Sequence, residues 1–203
     1  MKKLIALMMI AVAGMAFKTA DTGYKVGDTA TDFKLKNVNG KTVSLANYKS
    51  AKGYIVVFTC NHCPYAKAYE SRIMDLDKKY ATKGYPVIAI SPNDPVAEPA
   101  DSFENMQKLA MQKKYSFPYL IDETQDITRA YGAKATPHVY VLQKTASGNV
   151  VKYIGAIDDD TENTKATKVK YVENAVNALI GGKQPEVTAT KAIGCSIKWK
   201  KSA

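Results

Sequence analysis

Apolar and polar positions change rhythm along this chain in a way that predicts most of its elements. Residues 32–36 alternate polar and apolar, Asn39-Gly40 follows, and Thr42-Val43-Ser44-Leu45 resumes the alternation, which predicts a hairpin with a tight turn. Residues 54–59 form a continuous apolar run, as expected of a central strand covered on both faces. After Pro64 the period becomes helical, with Tyr69, Ile73, Leu76 and Tyr80 on one face and a stop near Gly84. Residues 86–90 repeat the buried-strand pattern and run into the turn-rich Ser91-Pro92-Asn93-Asp94-Pro95. Asp101 and Glu104 have the spacing of a capping box ahead of a helix carrying Phe103, Met106 and Ala110. A short strand at 118–121 and a short helix at 125–131 closed by Gly132 come next. A hairpin around Ser147-Gly148-Asn149 and a last long helix carrying Val169, Val172, Val176 and Leu179 complete the series. Strands alternating with helices, then a closing hairpin and helix, predict an α/β fold with a central mixed sheet flanked by helices.

The two ends fall outside that pattern. Met1-Lys2-Lys3 is a short positive start, Leu4 to Ala16 is apolar, and Gly14-Met15-Ala16 offers small residues at cleavage spacing. So short an apolar core reads as a secretory signal peptide over residues 1–16 rather than a membrane span, so the protein is expected in the periplasm or cell envelope. The main domain is expected over 22–182, with 183–203 an extended tail across its surface. The net charge of +10 falls to +8 once Lys2 and Lys3 are removed. The lysines are scattered rather than interleaved with stacking aromatics, so a solvated surface is expected and no nucleic-acid partner. The sequence says nothing of the oligomeric state.

Three cysteines are too few for a disulfide scaffold, and their odd number is informative in an oxidising compartment. Cys60-Asn61-His62-Cys63 sits between the apolar run and the helix-period segment. Two thiols so placed can pair with each other, leaving Cys195 over. A helix N-terminus, the Cys63 thiol and a protonated His62 would each stabilise a Cys60 thiolate. Cys60 is then the attacking thiol and Cys63 the resolving one, with Asn61, His62 and Pro64 tuning the site. No cofactor is needed beyond a redox-active Cys60–Cys63 disulfide, and the partners are protein or small-molecule disulfides and thiols. A metal is not expected, because His62 lies between the cysteines where joint chelation is awkward and no second C-x-x-C exists. Thr136-Pro137 opens a late strand and suits a cis peptide whose backbone would seat a substrate disulfide.

Cys60-Asn61-His62-Cys63-Pro64-Tyr65, Ser91-Pro92-Asn93-Asp94-Pro95, residues 118–123, Thr136-Pro137 and residues 194–199 together resemble the peroxiredoxin-like branch of the AhpC/TSA redoxin family, within the thioredoxin superfamily. The resemblance runs from about Val26 to Trp199. It implies a thioredoxin-like fold and a redox-active dithiol, and it raises peroxide reduction as an alternative activity. Peroxiredoxins carry Pro-x-x-x-Thr/Ser-x-x-Cys, and neither register fits: Val56 and Cys60 precede Cys63, Gly53 and Val57 precede Cys60. Tyr54 stands where thioredoxin has a buried acid, so His138, Glu123 or water must accept the proton.

Cys195 has two readings, a small packed residue beneath the tail, which is favoured, or a third redox thiol. Asp158-Asp159-Asp160 reads as a solvated turn, and Trp199 as core. The main reading is an exported thiol–disulfide oxidoreductase, possible electron donors including one in the membrane. A non-enzymatic envelope module stapled by a structural disulfide is the remaining alternative.

Overall fold

A computed structural model describes residues 23–201, and the predicted signal peptide lies outside them. In chain order the strands are β1 (Thr29–Ala30), β2 (Leu35–Asn37), β3 (Thr42–Val43), β4 (Gly53–Phe58), β5 (Val87–Ser91), β6 (Tyr119–Ile121), β7 (Ala135–Thr136), β8 (His138–Thr145), β9 (Gly148–Gly155) and β10 (Cys195–Ser196). The helices are α1 (Pro64–Tyr80), α2 (Phe103–Lys113), α3 (Asp126–Tyr131) and α4 (Tyr171–Ile180). Eight strands form one sheet in the order β1-β9-β8-β4-β5-β6-β2-β3, while β10 and β7 make a separate pair. The β4–β5 and β5–β6 pairs are parallel and the rest antiparallel, so the sheet is mixed.

β4 is central and wholly buried, which is why its sequence shows no polar alternation. Its side chains still alternate in direction. Ile55 and Val57 join one core cluster with Tyr69, Ile73 and Leu76 of α1 and with Val172, Val176 and Leu179 of α4. Tyr54, Val56 and Phe58 join the other, with Ile88, Ile90, Tyr131 and Tyr140. The sheet therefore separates two cores, and the C-terminal end of β4 emerges between them.

Four details differ from the sequence expectations. The cap of α2 is Ser102, whose Oγ accepts from the Asn105 N–H, and Glu104 instead pairs with Lys108 on the surface. α4 begins two residues after Val169, whose N–H is held by Asp159. The acidic run after β9 is not a solvated turn: buried Asp158 accepts two bonds from Arg72 Nη1, at 2.9 and 2.7 Å, and Asp160 takes backbone N–H bonds from Thr164 and Lys165. Trp199 is not core but 40% exposed, with the Arg129 guanidinium 5.1 Å from its ring centre.

The segment after α4 returns across the molecule. It meets β9 at the Ile154–Ala189 bridge, pairs β10 with β7, and buries Ile197 in the second core cluster. No helix among the described residues is long and apolar enough to cross a membrane.

Candidate active site

β4 delivers the first cysteine. Thr59 still donates to the Ile90 carbonyl at 2.9 Å, and the chain then leaves the sheet at Cys60. Cys63 is the N-terminal cap of α1 and Pro64 its first helical residue, a position where proline lacks a donor the helix cannot use anyway. Both cysteines are buried, Cys60 at 5% and Cys63 at 0% exposure.

Thr136 lies against both sulfurs. Its Oγ1 is 3.2 Å from Cys60 Sγ, and its carbonyl oxygen is 3.2 Å from Cys63 Sγ. The Thr136-Pro137 peptide is cis. The sequence-predicted residues Cys60, Cys63, Pro64, Thr136 and Pro137 are thus brought to one place.

The bond between the sulfurs differs from the one expected. Cys63 is joined to Cys195, with Cα atoms 6.0 Å apart, and Cys60 is a free thiol. The reason is β10, which sets Cys195 directly opposite Thr136. Cys195 is therefore bonded, not merely packed. The Cys63–Thr136 contact can become an S–H···O bond only when this disulfide opens.

His62 was expected to lend Cys60 a positive charge, and here a carboxylate intervenes. Asp101, fully buried, accepts from the N–H groups of Asn61 at 2.7 Å and His62 at 3.1 Å. Its other oxygen lies 2.6 Å from His62 Nδ1 and accepts from Asn93 Nδ2 at 2.6 Å. Asn61 in turn accepts from the Tyr119 hydroxyl at 2.9 Å. Burial first, and the Asp101 charge second, push the Cys60 thiol up to about 11, against the Thr136 hydroxyl and the N–H groups of Cys63 and His62. The start of α1 therefore does not supply a ready thiolate in this oxidised state, because burial and the Asp101 charge outweigh the N–H groups and the Thr136 hydroxyl that face the sulfur.

Asp101 is the site residue that sequence reasoning missed. Its signal was its place before a helix, which reads as a cap. That Ser102 follows, itself a good cap, was the available hint.

The proton acceptors considered for Cys60 lie elsewhere. His138 Nδ1 contacts the Lys134 N–H and the Tyr140 hydroxyl, and burial lowers its pKa to about 4. Glu123 is exposed, Asp122 caps α3 through Thr128, and Tyr54 donates to the Leu45 carbonyl at 2.8 Å. Donor atoms of Cys60, His62 and Asp101 lie within 4.8 Å of one another. A metal there would have to compete with the four polar partners Asp101 already holds, and three donors fall short of a closed tetrahedral site.

A cavity of about 250 Å³ opens beside Cys60, lined also by Asn61, Lys67, Glu70, Tyr115 and Tyr119. A small reactant has room there.

A mixed sheet flanked by helices, with a cysteine pair at the β4–α1 junction and Thr136 against both sulfurs, defines a protein of thioredoxin-like fold. A thioredoxin family protein from Chlorobium tepidum shares that fold. The AhpC/TSA family model matches residues 26–170, and the chain belongs to that family. It is similar to the thiol-disulfide oxidoreductase ResA of Geobacillus thermodenitrificans, 27% identical over 158 residues, covering 76% of this chain and 85% of that one. A Mycobacterium tuberculosis relative carrying a peroxiredoxin name is 28% identical over 155 residues, covering 73% and 92%. The crystal structure of an uncharacterized conserved protein from Geobacillus kaustophilus superposes with a TM-score of 0.80 at 37% identity, covering 88% of this chain and 94% of that one. The chain is an oxidoreductase of thiols and disulfides at this level of description.

Proposed function

We propose that the protein is an exported thiol–disulfide oxidoreductase in which Cys60 attacks and Cys63 resolves. The observation that carries this is the shared partner Thr136, placed 3.2 Å from each sulfur. A Cys60 thiolate attacks one sulfur of a substrate disulfide and releases the other as a thiol. Cys63 then attacks the Cys60 sulfur, releasing the second substrate thiol and leaving a Cys60–Cys63 disulfide. One pair of electrons passes to the substrate. A thiol donor, protein or small molecule, restores the pair, and a membrane electron donor suits that part. Burial raises the Cys60 thiol pKa, so the first step is expected to speed up as pH rises.

Export rests on the charge and apolar pattern of residues 1–16, outside the described residues. Substitution of Cys60 by serine is expected to abolish reduction of insulin disulfides with a dithiol donor. A Cys60→Ser protein that keeps the wild-type rate rules this reading out.

Peroxide reduction is a second reading, favoured by the cavity beside Cys60, which admits a reactant as small as hydrogen peroxide. Turnover of hydrogen peroxide far above that of insulin, with the same donor, would put it first.

A further inference from the structure

We propose that Cys195 is a third redox residue, onto which the disulfide formed at Cys60–Cys63 migrates so that an outside thiol can reach it. This rests on the proposed exchange at Cys60 and Cys63, and deepens it.

The geometry is that of a held relay rather than a swinging flap. Cys60, Cys63 and Ala66 form one small cluster with Cys195 packed against it. Next to the cysteine, Gly194 passes so close to Thr136 that any Cβ there would overlap the Thr136 carbonyl. Beyond it, the tail is fixed by contacts that do not involve sulfur. The Lys198 N–H donates to Asn93 Oδ1 at 2.9 Å, and the Lys198 carbonyl accepts from Asp94 N at 2.8 Å and Gln125 Nε2 at 2.9 Å. Gln125 Oε1 accepts from Lys200 N at 2.9 Å, and Ile197 is buried. Opening the disulfide therefore leaves Cys195 beside Cys63, at high effective concentration.

Exposure gives the migration a direction. Cys60 and Cys63 are buried, whereas Cys195 is partly exposed. A donor thiol can meet a disulfide at Cys195 from the surface, whereas Cys60 is approached only through the cavity beside it and Cys63 is fully buried.

The step balances without any added reagent. The Cys195 thiolate attacks Cys63 Sγ of the Cys60–Cys63 disulfide. The Cys63–Cys195 bond forms, the Cys60–Cys63 bond breaks, and Cys60 leaves as a thiolate that takes up the proton Cys195 gave. The result is the state observed, with Cys60 a free thiol. Two electrons then arrive from an external dithiol, which attacks Cys195, releases Cys63 as a thiol and departs as a disulfide. High pKa favours Cys60 as the group that holds the proton at rest.

The test is acid trapping of the wild-type protein during turnover with insulin and dithiothreitol, followed by alkylation and peptide mass mapping. Both linkages are expected, Cys60–Cys63 appearing first after a pulse of insulin and Cys63–Cys195 replacing it, with label on Cys60. Re-reduction of oxidised Cys195→Ser by dithiothreitol is expected to be at least about tenfold slower than that of wild type. A Cys63–Cys195 linkage that never opens, or never forms, overturns the relay, as does an unchanged re-reduction rate. Mapping reads the linkages whether or not insulin turns over. Failure of insulin reduction with migration intact under diamide therefore counts against the exchange reading alone.

Discussion

At the scale of single residues, burial keeps the Cys60 thiol protonated and Asp101 adds to that effect. A buried carboxylate gathering four polar hydrogens stiffens the Cys60–Cys63 loop, and its charge disfavours a thiolate nearby. Asp101→Asn removes that charge and keeps most of the volume. Its expected effect is a lower Cys60 pKa, hence roughly three- to tenfold faster alkylation of Cys60 by iodoacetamide at pH 8. The pH–rate profile is the discriminating readout: its midpoint should move to lower pH, whereas simple loosening of the loop would raise the rate at every pH without moving the midpoint. The cysteines, His62 and the Thr136-Pro137 pair were legible because each belongs to a short motif. Asp101 was not, since its partners Asn61 and His62 lie some forty positions away in the chain.

At the scale of elements, local signals were read well and partners less well. The apolar run of β4, the helical period of α1 and the turn at Gly148 all depend on neighbours in sequence, so the pattern revealed them. The tail did not announce β10, because Cys195–Ser196 has no strand-like periodicity and exists by pairing with β7. Its sequence signature is Gly194, the residue that lets the two backbones approach. Gly194→Ala is expected to push β10 off Thr136 and cost about 1–3 kcal/mol, read from the denaturant midpoint. In the same protein the Cys63–Cys195 linkage should form more slowly after oxidation. An alanine tolerated without loss in either measurement would mean that the strand pair is loose.

At the scale of the whole molecule, the disulfide joins positions 132 residues apart, from the start of α1 to the tail. Cysteine counting could not show this, since three thiols allow three pairings and the nearest pair looked sufficient. Such a link acts mostly on the unfolded chain, removing conformations that a free tail would have. The native tail is held independently by Ile197, Lys198 and Gln125, so reduction should leave the fold in place but lower its stability by about 2–4 kcal/mol. Urea unfolding of oxidised and reduced wild-type protein checks this in two ways. The midpoint should fall on reduction, and the slope should rise, because an uncrosslinked unfolded chain exposes more surface. Equal midpoints would imply that the unfolded protein is already compact around the tail. A lower midpoint with an unchanged slope would place the loss in native packing at β7 and β10 instead, where Gly194→Ala acts, so the two measurements together separate the unfolded-state effect from the folded one.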